Sequence, residues 1–157
     1  MIRFVTGSLF DSDAQVLVNP VNTVGTSGAG LALAFKKRWP DMHTEYAKFC
    51  KLGELGRRRS LFLWKKTGCP VVLCFATKEH WRDPSELEFI EAGLAEFVRC
   101  YRLLGITSIA FPALGCGNGG LDWADVCSLM TRYLEPLDLP IEIYLPLGHA
   151  FHLPGTR

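Results

Sequence analysis

The sequence runs Phe111-Pro112-Ala113-Leu114-Gly115-Cys116-Gly117-Asn118-Gly119-Gly120 at the point that decides the fold, where an apolar strand breaks into four glycines before a new amphipathic segment. A similar arrangement lies near the start of the chain, where Gly25-Thr26-Ser27-Gly28-Ala29-Gly30 separates the apolar strand Val16–Pro20 from a helical pattern. Glycine adopts positive φ without steric cost, and a helix N-terminus offers unpaired N–H groups. Two such loops predict a site that binds both phosphates of one diphosphate, although each loop alone is also typical of an ordinary strand-to-helix connection.

Hydrophobic periodicity predicts six strands and four helices. The strands are expected at Ile2–Thr6, Gln15–Asn19, Leu61–Lys65, Val71–Phe75, Ser108–Pro112 and Ile141–Leu145, and the helices at Gly30–Trp39, Asp41–Leu52, Glu86–Leu104 and Asp122–Leu134. The alternation of strands and helices in the second half favours parallel pairing, while the third and fourth strands read as a hairpin turned at Thr67-Gly68. The prediction is an α/β fold with a mixed, largely parallel central sheet, in which the two glycine loops meet at the carboxyl ends of the strands.

Length and composition bound the class of protein. With 157 residues, 48% hydrophobic and 21% charged, we expect a single domain over residues 1–157. A formal charge of +1 argues against binding nucleic acid through bulk charge. Arg57-Arg58-Arg59, with Lys65-Lys66 nearby, is the candidate local patch, and a solvated loop is the alternative interpretation.

The cysteine spacing and the termini add further expectations. No C-x-x-C pair occurs among the six cysteines, which favours reduced thiols over a zinc site or a disulfide framework. The chain begins with Met1 and no basic leader, and no apolar run approaches the roughly 18 residues that span a bilayer. We therefore expect a soluble, cytoplasmic protein. Residues from about 148 to 157 lack periodicity and form either a tail or the start of a linker.

The strand and loop beginning Val18-Asn19-Pro20-Val21-Asn22, together with Pro112–Gly117 and its continuation, resemble the two ligand loops of the macrodomain family, which binds ADP-ribose. The resemblance covers essentially the whole chain. Thr77-Lys78-Glu79-His80-Trp81-Arg82 and Gly119-Gly120-Leu121-Asp122-Trp123 resemble, within that family, the N-terminal macrodomains of the DarG-type DNA ADP-ribosyl glycohydrolase antitoxins. The fold that this resemblance implies is a three-layer α/β/α sandwich.

The resemblance also implies an activity and a set of site residues. Such a domain removes ADP-ribose that a partner toxin, a DNA ADP-ribosyltransferase, attaches to thymidine bases of single-stranded DNA. It implies no metal or cofactor, and we expect a monomer. Lys78 corresponds to the catalytic lysine, Asn22 would bond the distal ribose near its reacting carbon, and His80, Trp81 and Arg82 would contact DNA. ADP-ribose contacts are implied for Gly7, Ser8, Leu9, Asn19, Asn22, Gly25, Thr26, Ser27, Gly28, Ala29, Gly30, Thr77, Leu114, Gly115, Cys116, Gly117, Asn118, Gly119 and Gly120.

The chemistry asks for a lysine on independent grounds. Cleaving a ribosyl–base bond builds positive charge on the sugar and negative charge on the base. A lysine ammonium over a thymine carbonyl would stabilise that base, and a desolvated amine would instead attack the anomeric carbon. The sequence leaves both roles open for Lys78. Asn22 has the alternative role of satisfying loop backbone groups, and His80 with Trp81 would either stack on an unpaired base or pin their own loop.

Three departures from the family pattern bear on specificity. Ser8 stands where macrodomains commonly place an aspartate for the adenine amino group, so Ser8, a backbone group, Asp11 or Asp13 must serve instead. Asn118-Gly119 replaces the aspartate of a related hydrolase of protein glutamate esters, which disfavours an aspartate-assisted mechanism. Ala76 replaces a proline and relaxes the backbone before Lys78. The alternative functions are a non-catalytic ADP-ribose reader and a hydrolase of protein-linked ADP-ribose esters or ADP-ribose derivatives.

Overall fold

The structure, a computed structural model, describes residues 1–148 of the chain. The tail predicted from about residue 148 therefore lies, beyond Gly148, outside the described residues. The strands are β1 (Ile2–Val5), β2 (Val16–Asn22), β3 (Leu61–Trp64), β4 (Val71–Lys78), β5 (Ile109–Phe111) and β6 (Ile141–Tyr144), and the helices are α1 (Gly30–Arg38), α2 (Pro40–Lys51), α3 (Leu87–Cys100) and α4 (Trp123–Leu134).

All six strands belong to one sheet, in the order β1-β6-β5-β2-β4-β3. Every neighbouring pair is parallel except β3 and β4, which pair antiparallel as the predicted hairpin, with its turn at Thr67 and Gly68. A parallel pair needs a helical crossover, and the helices supply those crossovers on both faces of the sheet. The predicted three-layer α/β/α sandwich with a mixed, largely parallel sheet is confirmed.

Two hydrophobic cores lie on opposite faces of the sheet, and β4 contributes alternately to both. Leu73 and Phe75 face the core shared with α3 and α4, while Val72 and Cys74 face the core shared with α1 and α2. Because both faces are covered, the central strands are apolar at nearly every position. The helices contribute Ile90, Leu94, Val126 and Met130 to the first core and Phe35, Met42 and Tyr46 to the second.

The two central strands run further toward the site than the sequence predicts. The pattern predicts an end of β2 at Asn19, but the strand continues to Asn22. Pro20 lacks an N–H, yet the strand tolerates it, because β5 pairs only with Val16 and Leu17 and no described hydrogen bond between β2 and β5 is lost at Pro20. β4 likewise extends from Phe75 to Lys78. The register shifts between Val21 and Asn22, which places Asn22 opposite Lys78.

Two further differences concern local structure. The helix predicted to end at Leu104 ends at Cys100, and the chain then turns, with Ile106 N–H donating to Tyr101 O at 3.0 Å. A short 3-10 helix at Leu9–Asp11, which the periodicity does not predict, is capped by the Ser8 side chain. Among residues 1–148, none of the helices combines the length and the apolar character that crossing a membrane requires.

Gly93 in the middle of α3 gives a test of the packing between α3 and β4. Glycine to alanine in a helix interior ordinarily stabilises by about 1 kcal/mol. A Cβ on Gly93 would lie 2.3 Å from Phe75 Cζ, so we expect the opposite sign, a loss of about 1–3 kcal/mol in the free energy of unfolding by urea. The matched control is Gly93→Ala in a Phe75→Leu background, which lacks the clashing ring atoms. Stabilisation by the single Gly93→Ala variant would show that the ring moves aside freely.

Candidate active site

A cleft of about 1030 Å³ opens at the carboxyl ends of β2, β4, β5 and β6. This is the edge of a parallel sheet where ligands ordinarily bind. Both glycine loops and the segment after β4 reach it, as predicted. The cleft is lined by Gly7, Ser8, Leu9, Pro20, Val21, Asn22, Thr26, Ser27, Gly28, Ala29, Gly30, Leu31, Ala32, Thr77, Lys78, Trp81, Ser85, Pro112, Ala113, Gly115, Cys116, Gly117, Asn118, Gly119, Tyr144, Leu145, Pro146 and Leu147.

The first glycine loop presents an uncapped helix N-terminus to the cleft. Ala29 at the N-cap of α1 offers no side-chain hydrogen bond, and the first intrahelical bond is donated by Leu33 N–H to Ala29 O at 3.2 Å. The N–H groups of residues 27–32 therefore have no acceptor within the described part of the chain. The partial positive charge of these N–H groups attracts an anion. The N-terminus of α4 differs, since the Asp122 carboxylate caps Ala124 N–H at 3.0 Å.

The second glycine loop offers a matching row of donors. Its turn is closed by Leu121 N–H donating to Gly115 O at 2.9 Å, while the N–H groups of residues 117–119 have no acceptor among residues 1–148. The two loops touch: Gly30 has φ +57°, and a Cβ there would lie 2.9 Å from Asn118 Nδ2. Glycine adopts this φ without steric cost, and a side chain here would have to displace the end of Asn118. Two converging rows of N–H donors can bind a diphosphate.

Asn22 organises the first loop with its whole carboxamide. Its Nδ2 donates to Thr26 O and Thr26 Oγ1 at 2.9 and 3.0 Å. Its Oδ1 accepts from the N–H groups of Val24, Gly25 and Thr26 at 3.0–3.3 Å. Tyr46 OH donates to Asn22 O at 2.6 Å from the buried side. Of the two roles left open for Asn22, the structure shows loop organisation, and a contact to the distal ribose stays a prediction.

Ser85 joins the segment after β4 to the second glycine loop. Its N–H donates to Gly119 O at 2.9 Å, and its hydroxyl donates to Thr77 Oγ1 at 3.2 Å. A Cβ on Gly119 would lie 2.2 Å from Ser85 Oγ, so the loop packs directly against this buried serine. Ser85 is not among the site residues predicted from the sequence. Its contacts are not visible there, because Thr77 and Gly119 belong to different segments.

Lys78 is the only charged side chain among the described residues that line the cleft. It is half-buried at the end of β4, opposite Asn22 in register. Thr23 N–H donates to both Lys78 O and Glu79 O, at 3.2 and 3.0 Å, which ties the end of β4 to the first loop. Lys78 therefore lies at the carboxyl end of β4, in the same cleft as both rows of N–H donors.

The comparisons with known proteins agree with this geometry. The model of the Macro domain family matches residues 18–130 of the chain. The chain belongs to the macrodomain family. This macrodomain is 43% identical over 160 residues to the DNA ADP-ribosyl glycohydrolase of Mycobacterium tuberculosis (strain ATCC 25618 / H37Rv), a match that covers 100% of this chain and 46% of the relative. The macrodomain thus spans about half the length of the curated relatives it matches.

Solved structures show the same fold. The macrodomain of Thermus aquaticus DarG is 40% identical, with a TM-score of 0.87, and the match covers 93% of this chain and 99% of that chain. Thermosipho africanus DarTG in complex with ADP-ribose is 40% identical, with a TM-score of 0.90, over 96% of this chain and 43% of that chain. The resemblance seen in the sequence is confirmed at the level of the family and of its DarG members.

The segment after Lys78 exposes an aromatic side chain at the rim of the cleft. Trp81 is 56% exposed and lines the cleft, with Arg82 Cζ 5.0 Å from its ring centroid. His80 packs against Trp81 at 5.4 Å, and its Nδ1 accepts from Arg82 N–H at 3.1 Å. In this macrodomain His80 therefore pins the loop, while Trp81 remains largely exposed to solvent between its contacts with His80 and Arg82. His80 and Arg82 themselves do not line the cleft among the described residues.

Four of the predicted ADP-ribose residues also lie outside the cleft lining. Asn19 is fully buried, with Nδ2 facing Cys74 Sγ at 3.8 Å, and Leu114 belongs to the core beneath α3 and α4. Gly25 packs against α2, where a Cβ would lie 3.2 Å from Ala47 Cα. Gly120 follows the lining residues of its loop and donates to Gly117 O. These four residues therefore lie away from the surface of the cleft.

The end of the cleft near β1 and β6 is mostly apolar. Ser8 lines it, but its hydroxyl accepts from Phe10 N–H at 3.3 Å and caps the short 3-10 helix. Asp11 and Asp13 are exposed and do not line the cleft among residues 1–148. The stretch from Tyr144 to Leu147 does line it, and the sequence analysis missed it. The signal for it was the carboxyl end of the sixth predicted strand, which parallel pairing brings to the same edge.

The cysteines are free thiols, and the one in the cleft is not activated. Burial raises the pKa of Cys116 to about 11, helped by the charge of Asp122, so the thiol is protonated at neutral pH.

Desolvation together with the charge of Lys36 lowers the pKa of His43, whose Nδ1 lies 3.1 Å from Ser27 Oγ. Within residues 1–148, no cluster of metal-ligating side chains occurs.

The basic run is largely occupied by ion pairs. Arg57 binds Glu79 and Glu86, Arg59 lies 3.5 Å from Glu54, and Lys66 Nζ lies 2.5 Å from Asp41. Arg58 has no carboxylate partner within the described residues. Of the candidate nucleic-acid patch proposed from the sequence, Arg58 and Lys65 are therefore the cations without a carboxylate partner among residues 1–148.

Asn22→Ala tests the role of the carboxamide in this macrodomain. The substitution leaves three N–H groups and Thr26 O without their partner, and each lost hydrogen bond costs about 0.5–1.5 kcal/mol. We expect ADP-ribose affinity, measured by calorimetry, to fall at least about tenfold. Thr23→Ala, which removes a neighbouring hydroxyl that donates only to Glu79 O at 3.3 Å, is the control and should bind like wild type. Unchanged affinity of Asn22→Ala would show that the loop keeps its shape without this side chain.

Proposed function

We propose that this macrodomain removes ADP-ribose from thymidine bases of single-stranded DNA by hydrolysing the N-glycosidic bond, and that it acts as the antitoxin of a DNA ADP-ribosyltransferase toxin. The observation that carries the proposal is the position of Lys78, the only charged described residue in the cleft, beside two rows of unpaired N–H groups. The 43% identity to a DNA ADP-ribosyl glycohydrolase supports the substrate class. A fusion of DNA ADP-ribosyl transferase and DNA ADP-ribosyl glycohydrolase in Thermosipho africanus supports the toxin as partner.

In the proposed reaction the bond between the anomeric carbon and the base nitrogen breaks. The electron pair leaves with the base, water supplies the oxygen that bonds to the anomeric carbon, and one proton of that water ends on the base. The N–H rows hold the diphosphate, so the distal ribose lies beside the end of β4. The Lys78 ammonium stabilises the negative charge that develops on the base; alternatively, its neutral amine displaces the base from the anomeric carbon, and water then displaces the amine, which restores the lysine.

The DNA strand is proposed to lie over the segment after β4. A base presented for chemistry must leave the stack, which costs little in single-stranded DNA. Trp81, which is exposed at the rim of the cleft, offers an aromatic ring on which an unpaired base can stack. Arg82 lies beside that ring and has no carboxylate partner among residues 1–148, so it is available to a phosphate. We expect the protein to act in the cytoplasm as a monomer.

A substrate panel tests the activity. Wild type should release ADP-ribose from an ADP-ribosylated thymidine oligonucleotide, and Lys78→Ala should lose turnover by at least about 10²-fold while its ADP-ribose affinity changes little. Lys66→Ala removes a lysine far from the cleft and should retain full turnover. Release is measured by chromatography of free ADP-ribose.

The outcomes separate the alternatives. A wild type that binds ADP-ribose but leaves the oligonucleotide intact would be a reader, and the proposed activity would be wrong. Consumption of a protein-linked ADP-ribose ester in preference to the oligonucleotide would identify an esterase. Equal turnover by Lys78→Ala would remove the lysine from the mechanism.

Arg82→Gln tests the proposed DNA contact. Removal of one cation that neutralises a phosphate should reduce the slope of log binding constant against log salt by about 0.7 for a single strand. We expect this shallower slope for Arg82→Gln with an unmodified thymidine oligonucleotide, measured by fluorescence anisotropy between low and moderate salt. Arg99→Gln, at the far end of α3, removes the same charge and should keep the wild-type slope. An unchanged slope for Arg82→Gln would place the phosphates elsewhere.

A further inference from the structure

The segment that follows Lys78 is hydrogen-bonded at both ends, to Thr23 and to Gly119, but its middle is exposed. Residues 79 and 81–84 are exposed, and only Ser85 is buried. At its base, Glu86 N–H donates to Thr77 O at 3.1 Å. Exposed loops with little apolar packing open easily, so the position of this segment needs a further contact. We call residues 79–86 the lysine loop.

Arg57 supplies that contact from outside the cleft. Its Nε donates to Glu79 Oε1 at 3.0 Å, and its Nη2 donates to Glu86 Oε2 at 3.2 Å. Glu79 directly follows Lys78, and Glu86 is the N-cap of α3, so one guanidinium joins the two ends of the lysine loop.

The guanidinium of Arg57 also packs against an aromatic ring of α3. Arg57 Cζ lies 4.7 Å from the centroid of Phe89, a buried ring in the first turn of α3. A guanidinium is planar and holds two carboxylates in a defined geometry, which the point charge of an ammonium cannot do. The hydrogen bond with Glu79 raises the pKa of Arg57 further above its ordinary value, so the guanidinium stays charged at any physiological pH.

We propose that Arg57 is a positioning residue that holds the two ends of the lysine loop together and thereby aligns Lys78 and Trp81 over the cleft. The inference rests on the proposed glycohydrolase function, because it assigns Arg57 to the alignment of the reactive lysine. Arg57 does not line the cleft among the described residues, so it has no direct part in holding ADP-ribose.

The test uses Arg57→Gln, with Arg59→Gln as the matched control. Arg59 lies in the same basic run but pairs with Glu54, outside the lysine loop. For Arg57→Gln we expect kcat on the ADP-ribosylated oligonucleotide to fall about three- to tenfold, as befits exposed ion pairs, with ADP-ribose affinity unchanged within about twofold. Arg57→Lys should recover only part of the loss, and Arg59→Gln should behave like wild type.

A second measurement reads the loop without turnover. Amide hydrogen exchange of residues 79–86 should become faster in Arg57→Gln and stay unchanged in Arg59→Gln, with β4 and β5 protected in both. If wild type shows no turnover, the proposed function fails, and the exchange result by itself decides whether Arg57 holds the loop. Unchanged exchange in Arg57→Gln, or faster exchange with full kcat, would overturn the proposal.

Glu79→Gln separates positioning from simple attraction of DNA. Positioning predicts that Glu79→Gln lowers kcat as Arg57→Gln does, and that the double variant is no worse than Arg57→Gln alone, because both break the same contact. If Arg57 acted only by offsetting acidic charge near the DNA strand, Glu79→Gln would lower KM for the oligonucleotide and leave kcat intact. That result would overturn the proposed positioning role of Arg57.

Discussion

The parallel pairing of β2 with β4 is the constraint on which the site depends. Its register shift places Asn22, which shapes the first glycine loop, opposite Lys78, the charged residue of the cleft. Both residues therefore lie at the carboxyl ends of two paired strands, and Thr23 N–H joins the first glycine loop to the backbone after Lys78. Because both strands are buried on both faces, the backbone of these strand ends has little freedom to move. A catalytic group that must meet a bound sugar benefits from such a fixed base.

Backbone groups supply most of the polarity of the cleft. The N–H groups of residues 27–32 and 117–119 face it without acceptors in residues 1–148, and a single side-chain cation stands beside them. Oriented backbone dipoles of this kind bind an anion without much reorganisation. In the proposed function, the main chain holds the diphosphate and leaves Lys78 for the reacting end of the ligand. Gly30 and Gly119 also pack closely against neighbouring side chains, since a Cβ would lie 2.9 Å from Asn118 Nδ2 and 2.2 Å from Ser85 Oγ.

Three contacts couple the segments that meet at the cleft. Asn22 joins β2 to its own loop, Ser85 joins the end of β4 to the second glycine loop, and Arg57 joins the two ends of the lysine loop. The first two are buried and hydrogen-bonded, and the third is exposed and ionic. Salt should therefore act mainly on the lysine loop, because it screens exposed ion pairs more than the hydrogen bonds of the uncharged Asn22 and Ser85.

The sequence by itself determined the fold class, the order of the elements, the hairpin at Thr67-Gly68 and the position of the two glycine loops, because periodicity and turn residues are local properties of the chain. It also marked Lys78 through its family resemblance. Only the tertiary structure decided that Asn19 and Leu114 lie behind the loops, that the stretch from Tyr144 to Leu147 lines the cleft, and that Arg57 bridges Glu79 and Glu86. These facts depend on side chains from distant segments meeting in space, and neither composition nor spacing records which partner a buried amide or an exposed guanidinium will find.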